Sequence, residues 1–96
     1  MKLTPSQRKR LKEIAKQAVP LYQGTNWEWS DKQGEPYIPS TIDIEETLIG
    51  LWPTLTQSNS ISSGGLTLRC VGNGIEVSWD WQMSYKWQVP LKGEHD

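Results

Sequence analysis

The first part of the chain carries apolar residues at the spacing of an amphipathic helix. The apolar positions follow the i, i+3, i+4, i+7 rule: Leu11, Ile14, Ala15 and Ala18. Thr4 is a suitable N-cap, Pro5 suits the first helical position, and Gln7 completes a capping box with Thr4. Pro20 lacks the backbone N–H that a helix interior needs, so we expect the helix to end there. The pattern predicts an N-terminal helix that buries one face.

The last third of the chain changes to a period of two. Apolar residues occupy the odd positions from 75 to 91: Ile75, Val77, Trp79, Trp81, Met83, Tyr85, Trp87, Val89 and Leu91. The preceding Gly72-Asn73-Gly74 is typical of a type I′ turn centred on its last two residues. That turn would pair residue 72 with residue 75 and place Arg69 opposite Ser78. Because every apolar side chain then shares one face, we predict a hairpin over residues 66–81.

The alternation continues past this hairpin to about residue 90. One straight strand of that length would reach roughly 50 Å, which is too long for a small domain. A two-residue turn would move the apolar side chains to even positions, and they stay on odd ones. The pattern therefore predicts either a continuous, strongly bent strand or a turn of odd length near residues 82–84. Residues 92–96 are charged and are predicted to form a frayed tail.

Residues 20–40 are interrupted by Pro and Gly and predict a smaller hairpin. Residues 26–29, Asn-Trp-Glu-Trp, alternate like a strand, and Asp31-Lys32-Gln33-Gly34 is typical of a turn. Pro36-Tyr37-Ile38 would return as a short edge strand, where proline is tolerated.

Residues 41–65 give two different signals. Ile42 and Ile44 alternate as in a strand, but the later apolar residues follow helical spacing. We favour a short helix over about 43–52, with a capping box from Asp43 to Glu46 and an end at Pro53. Residues 56–65 are small and polar and predict a flexible internal loop.

These elements define an α+β fold, with the N-terminal amphipathic helix packed on a small antiparallel sheet. The length of 96 residues fits a single domain over residues 1–96. The chain has six tryptophans and no phenylalanine, so we expect a core built from a few large indoles.

Charge is distributed unevenly along the chain. Residues 1–19 carry six cations and one acid, a net charge of +5, whereas the other 77 residues carry four cations and ten acids, a net charge of −6. Four cations lie along one flank of the predicted helix: Arg8, Lys9, Lys12 and Lys16. Either they face the protein's own acidic sheet or they face a partner.

The residues that support catalysis or metal binding are few. A single cysteine, Cys70, excludes an internal disulfide, and with one histidine, His95, it cannot form a Cys/His zinc site. We expect Cys70 to be a buried structural thiol. We predict no catalytic residues, no cofactor and no metal, hence a protein that is not an enzyme. No apolar run is long enough for a membrane span and no signal-peptide pattern is present, so we expect a cytoplasmic protein that does not engage a membrane.

The motif Trp–acid–Trp occurs twice, at residues 27–29 and 79–81. Sugar-binding sites combine aromatic platforms with carboxylates, so a small glycan-binding domain is one hypothesis. On a strand, however, the acid and the flanking indoles point to opposite faces, which favours a structural role for both tryptophan pairs.

Protein binding is the leading functional hypothesis. In composition the chain resembles small accessory proteins, such as phage-encoded inhibitors, that act by occluding a larger partner. Aromatic residues and arginine dominate interface hot spots, which makes six aromatic residues candidate anchors: Tyr22, Trp27, Tyr37, Trp52, Tyr85 and Trp87. The four helical cations would steer an acidic partner. The alternative is nucleic-acid binding through the basic helix, and a homodimer is compatible with so small a core.

Overall fold

The computed structural model describes residues 2–25, 28–56, 58–80 and 84–91. These residues form two α-helices and six β-strands that are joined by short connections. They are, in chain order, α1 (Pro5–Thr25), β1 (Trp29–Ser30), β2 (Pro36–Tyr37), α2 (Thr41–Leu51), β3 (Ile61–Ser63), β4 (Leu66–Val71), β5 (Gly74–Asp80) and β6 (Ser84–Pro90). The predicted α+β class is confirmed.

α1 begins with the predicted capping box. The Gln7 backbone N–H donates to Thr4 Oγ1 at 3.2 Å, and the Thr4 N–H donates to Gln7 Oε1 at 2.9 Å. The whole predicted apolar stripe is buried: Leu11, Ile14, Ala15 and Ala18. Since the helix buries one face and leaves the other in water, its period alone was enough to predict it.

The predicted end of α1 at Pro20 is wrong, because the helix continues through this proline to Thr25. Pro20 cannot donate to the Lys16 carbonyl, and both residues lie on the exposed side of the helix. One turn further, Tyr22 is fully buried in the core. The packing of Tyr22 stabilises the last turn of α1 beyond the proline, a tertiary contact that local propensity does not contain.

The small hairpin is confirmed in the described residues, whereas Asn26 and Trp27 lie outside them. β1 pairs antiparallel with β2, with Trp29 opposite Tyr37. Asp31 closes the turn: its carbonyl accepts from the Gly34 N–H at 3.0 Å, and its Oδ1 accepts from the backbone of Gln33 and Glu35. Gly34 has φ +82°, a conformation that favours glycine.

The predicted second helix is confirmed as α2, but its cap is different. Ser40, rather than Asp43, is the N-cap, and Asp43 at the third helical position accepts from the Ser40 N–H at 2.8 Å. Asp43 therefore supplies the second half of the box, and Glu46 lies outside it. α2 ends at Leu51, and the predicted stop at Pro53 lies inside a 3₁₀ turn over Trp52–Thr54 that follows the helix.

The large sheet has four antiparallel strands in the order β3-β4-β5-β6. The predicted hairpin β4–β5 exists, but its register is wrong by two residues. Val71 pairs with Gly74, so Gly72 and Asn73 are central in the turn, and Gly72 has φ +58°. A shift of two residues leaves every side chain on its predicted face, so the apolar pattern fits both registers equally well.

The remaining strands settle two further questions. Asp80 pairs with Ser84 in the antiparallel pair β5–β6, so three residues connect the strands, and these residues, 81–83, lie outside the described part of the chain. The register therefore confirms a connection of odd length, one residue earlier than predicted, rather than a continuous strand. The predicted structureless loop over 56–65 is wrong for Ile61–Ser63, which pair with β4 as β3. Ile61 packs against the core, and the Ser62 and Thr67 hydroxyls are 2.8 Å apart across the pair. Tertiary pairing here overrides a composition typical of loops.

Both helices cover one face of the large sheet, and the core fills the space between the layers. α1 starts where β6 ends, since Gln7 binds the Pro90 carbonyl, and it finishes at the β3–β4 turn, where Tyr22 binds the Gly64 carbonyl. α2 runs in the opposite direction. The start of α2 lies near the β3–β4 turn, because it follows the small hairpin, whose Trp29 also binds Gly64. The segment after α2 lies near the other end of the sheet, where the Thr56 carbonyl accepts from Cys70.

Candidate partner-binding surface

The four predicted cations of α1 form a basic stripe on the outside of the helix layer. This basic stripe consists of Arg8, Lys9, Lys12 and Lys16, all of them exposed. Within the described part of the chain the ion pairs are Arg10–Glu13 and Arg69–Glu76, and neither includes a member of the stripe. Of the two alternatives that the sequence left open, neutralisation by the protein's own acidic sheet therefore finds no support in the described residues.

The position of the basic stripe is unfavourable for the helix that carries it. The N-terminus of a helix carries partial positive charge and favours acids, but the first turn of α1 has none. Arg8, Lys12 and Lys16 also follow one another at i, i+4 spacing, where each like-charge pair costs about 0.2–0.5 kcal/mol. A negatively charged partner would relieve both effects.

Arg10 has a different role from the basic stripe. Its Nε donates to the Gln88 carbonyl at 3.0 Å, and its Nη1 lies 3.3 Å from Glu13 Oε2. The Gln7 side chain likewise donates to the carbonyls of Pro90 and Leu91. Because β6 is an edge strand, these bonds cover carbonyl groups that would otherwise be open to a partner strand.

Tyr22 was predicted as an exposed anchor, and this prediction is wrong. The ring is fully buried, with edge-to-face contacts to Trp29 and Trp79 at centroid distances of 5.8 and 5.7 Å. Its hydroxyl donates to the Gly64 carbonyl, which also accepts from Trp29 Nε1 at 3.1 Å. Burial raises the pKa of Tyr22 to about 12, because the phenolate is poorly solvated there, although contacts with Trp29 and Trp79 lower it slightly.

Three other predicted anchors belong to the core or its margin. Trp52 is fully buried, and its Nε1 has no hydrogen-bond partner among the described residues. Trp87 is only 9% exposed and donates from Nε1 to Gln17 Oε1 at 2.8 Å. Tyr85 is half-buried against the Trp79 ring. The prediction that Trp52 and Trp87 are exposed anchors is wrong, because a core this small is filled mainly by the largest apolar side chains of the chain. Trp27 lies outside the described residues.

Tyr37 is the predicted anchor that stays exposed, and two isoleucines that the sequence interpretation missed accompany it. Tyr37 is 36% exposed, Ile38 37% and Ile42 66%. Ile42 comes two residues before the buried Ile44, which at 100° per residue places it 200° away around α2. The helical period of α2 thus contained the signal for Ile42. We call Tyr37, Ile38 and Ile42 the apolar cluster.

The Trp–acid–Trp motif contributes no sugar platform in the described residues. Trp79 is 1% exposed and packs in the core, as the alternation on a strand predicts. Trp29 is half-buried between Tyr22 and Tyr37, with its indole N–H bound to Gly64. Trp27 and Trp81 lie outside the described residues. Neither of these two described rings is exposed to solvent as a platform for stacking would be.

Cys70 is half-buried rather than fully buried, and its thiol donates to the Thr56 carbonyl at 3.6 Å. It borders an open polar depression of about 250 Å³, lined also by Arg69 and residues 58–60. Since Arg69 is already paired with Glu76 at 3.1 Å, this depression offers no free charge to a ligand.

The described residues contain no group of three or more His, Cys, Asp or Glu side chains arranged to hold a metal ion. In the part of the chain that the structure describes, no helix is long and apolar enough to cross a membrane. No family model, no curated protein and no solved structure matches this chain.

Proposed function

We propose that this protein is a non-enzymatic binding module that regulates or inhibits a larger protein by covering part of its surface. The contact region is the outside of the helix layer, which we call the helix-layer surface. It comprises the basic stripe on α1 and the apolar cluster at the start of α2.

The observation that carries the proposal is the exposure of the apolar cluster. Isolated surface isoleucines are common, but here three apolar side chains lie within six residues of chain, and Ile42 is 66% exposed. Burying such side chains stabilises a complex by about 25 cal/mol per Å² of apolar area removed from water. In the described part of the chain, the other large apolar side chain that is exposed is Val71, which lies at the far end of the sheet.

The basic stripe supports the same proposal through association rate. Exposed cations without an ion-pair partner among the described residues attract an acidic surface over about one Debye length, roughly 8–10 Å in physiological salt. An acidic protein surface with an apolar depression beside it would satisfy both parts of the helix-layer surface.

Nucleic-acid binding is the second candidate, because the same unpaired cations can neutralise phosphates. Two features make it less favoured. The exposed acid Glu13 lies on α1 among the cations of the basic stripe, and the exposed Glu46 lies on the neighbouring helix α2; both would repel a polyanion. Stacking of bases needs exposed aromatic rings, and in the described residues the most exposed ring is Tyr37, which belongs to the apolar cluster rather than the stripe.

The experiment that tests the proposal is site-specific photo-crosslinking in lysate of the native host. A photoreactive phenylalanine derivative replaces Ile42 in one variant and, as the matched control, Lys86 in another. Lys86 is exposed on the opposite face of the sheet. We expect a discrete, nuclease-resistant protein adduct from position 42 that position 86 does not give.

Two results contradict the proposal. The first is the absence of an adduct at position 42, or the same adducts from both positions. The second is a nuclease-sensitive adduct whose yield falls steeply with salt, which would make nucleic-acid binding the function.

A further inference from the structure

The described chain is divided into two zones of opposite charge. Residues 2–25 carry six cations and one acid, a net charge of +5. Residues 28–56 carry one cation and six acids, a net charge of −5. The acids of the second zone are Glu28, Asp31, Glu35, Asp43, Glu45 and Glu46. α1 provides every cation of the basic zone except Lys2, whereas the small hairpin and α2 provide most of the acidic zone.

The two zones do not neutralise each other within one molecule. Although α1 and α2 pack side by side, the ion pairs of the described residues lie within the basic zone, Arg10–Glu13, or on the sheet, Arg69–Glu76. Asp31 and Asp43 bind backbone groups of their own turn and cap. Glu28, Glu35 and Glu46 are exposed, as is the whole basic stripe.

The zones also lie towards opposite ends of the molecule, whose longest dimension is 39 Å. The start of α1 lies beside Pro90 and the β4–β5 turn, because Gln7 binds Pro90 and the Leu91 N–H binds Asn73. The small hairpin lies at the β3–β4 turn, where Trp29 binds Gly64. Charge is therefore separated between the two ends of the large sheet.

We infer that in the free protein a second copy of this chain occupies the helix-layer surface, antiparallel to the first about a twofold axis, and that the larger partner displaces it. This inference rests on the surface assigned under the proposed function. An antiparallel arrangement brings the basic zone of each copy over the acidic zone of the other, and the two zones are equal in magnitude. A twofold axis makes both contacts at once, as in most homodimers. The aliphatic stems of Arg8 and Lys12 then cover Ile42 of the opposite copy.

A charge-exchange experiment on the purified full-length protein tests this inference. In one variant Lys12→Glu and Lys16→Glu lower the net charge of the basic zone from +5 to +1. In another, Glu45→Lys and Glu46→Lys change that of the acidic zone from −5 to −1. Sedimentation equilibrium measures association between about 0.1 and about 1 M NaCl, over which the Debye length falls from about 10 Å to about 3 Å. Lys86→Glu, on the opposite face of the sheet, is the matched control.

We expect the native chain and Lys86→Glu to dimerise at low salt and to weaken by about tenfold or more at high salt. Each double variant alone associates much more weakly, because one zone of every contact is nearly neutral. An equimolar mixture of the two forms a heterodimer, because the unchanged −5 zone of the first variant then faces the unchanged +5 zone of the second. Circular dichroism and thermal unfolding establish that both variants are folded.

Three results would overturn the inference: a native chain that is monomeric at every salt concentration, a dimer that neither double variant weakens, or a mixture that stays monomeric. The photo-crosslinking experiment separates this failure from failure of the proposed function. An adduct of twice the chain mass at position 42 reports the second copy, and an adduct of another mass reports a different protein.

Discussion

The side-chain amide of Gln7 donates to the carbonyl oxygen of Pro90 at 2.8 Å and to that of Leu91 at 2.9 Å, joining the first turn of α1 to the end of β6. The same side chain accepts from the Thr4 N–H and is only 2% exposed. One residue therefore closes the helix cap and fixes α1 against the sheet edge. That combination explains why a glutamine is buried so near the start of the chain.

Replacing Gln7 tests this connection. Gln7→Ala removes three hydrogen bonds and leaves carbonyl groups without their partner, so we expect it to lower the free energy of unfolding by about 2–3 kcal/mol. The measurement is equilibrium unfolding in urea. Thr4→Ala is the control, since it removes only the cap acceptor and is expected to cost about 1 kcal/mol. Equal losses in the two variants would show that the bonds to Pro90 and Leu91 contribute nothing.

The β3–β4 turn provides a second test. Gly64 has φ +60°, and a Cβ built there would lie 2.6 Å from Trp29 Cζ2. Gly64→Ala should therefore cost about 1 kcal/mol for the backbone and more for displacement of the indole, about 2–3 kcal/mol in total. Gly72→Ala is the matched control, with φ +58° and nothing within 4 Å, so only the backbone cost is expected. Thermal unfolding of both variants checks this, and comparable losses would contradict the role of Trp29.

Gly50 should respond in the opposite direction. It lies in α2, and a Cβ at this position meets nothing within 4 Å. Alanine reduces the conformational entropy of the unfolded chain without strain in the helix, so we expect Gly50→Ala to raise the free energy of unfolding by about 0.5–1 kcal/mol. A higher midpoint in urea at an unchanged slope would establish it, whereas a loss of stability would indicate that α2 is not regular at this residue.

Tyr22 makes stability depend on pH in the alkaline range. Its pKa in the folded protein is raised from 10.0 to about 12, so the folded state favours the neutral phenol more strongly than the unfolded state does. The resulting stability is complete below pH 10 and is lost as the pH rises towards 12. We expect Tyr22→Phe to cost about 1 kcal/mol at neutral pH, for the lost bond to Gly64, and to lose less stability than the native chain above pH 10.

The measurement is unfolding of the native chain and of Tyr22→Phe at a series of pH values. Because the two proteins differ only by the hydroxyl of residue 22, the difference between the two curves reports Tyr22. A difference that stays constant with pH would mean that the hydroxyl of Tyr22 is solvated in the folded protein.

The chain's own pattern was sufficient for the elements with a single buried face. The stripe from Leu11 to Ala18 determines α1, and the odd-numbered apolar positions determine which face of β5 and β6 meets the core. These signals are local, because a helix or strand with one side in water must repeat its apolar residues at its own period. The cations of the basic stripe were identified in the same way, from their place beside the apolar stripe.

Only the tertiary structure decided the features that depend on contacts distant in the chain. Tyr22 meets Trp79 and Gly64, and this packing both carries α1 past Pro20 and removes Tyr22 from the list of exposed anchors. A pattern of period two cannot distinguish two registers of β4–β5 that differ by two residues. β3 forms because its backbone pairs with that of β4. A small core has room for only some of the large apolar side chains, and the packing of all of them together decides which are buried. Trp52 is buried and Ile42 is exposed for this reason.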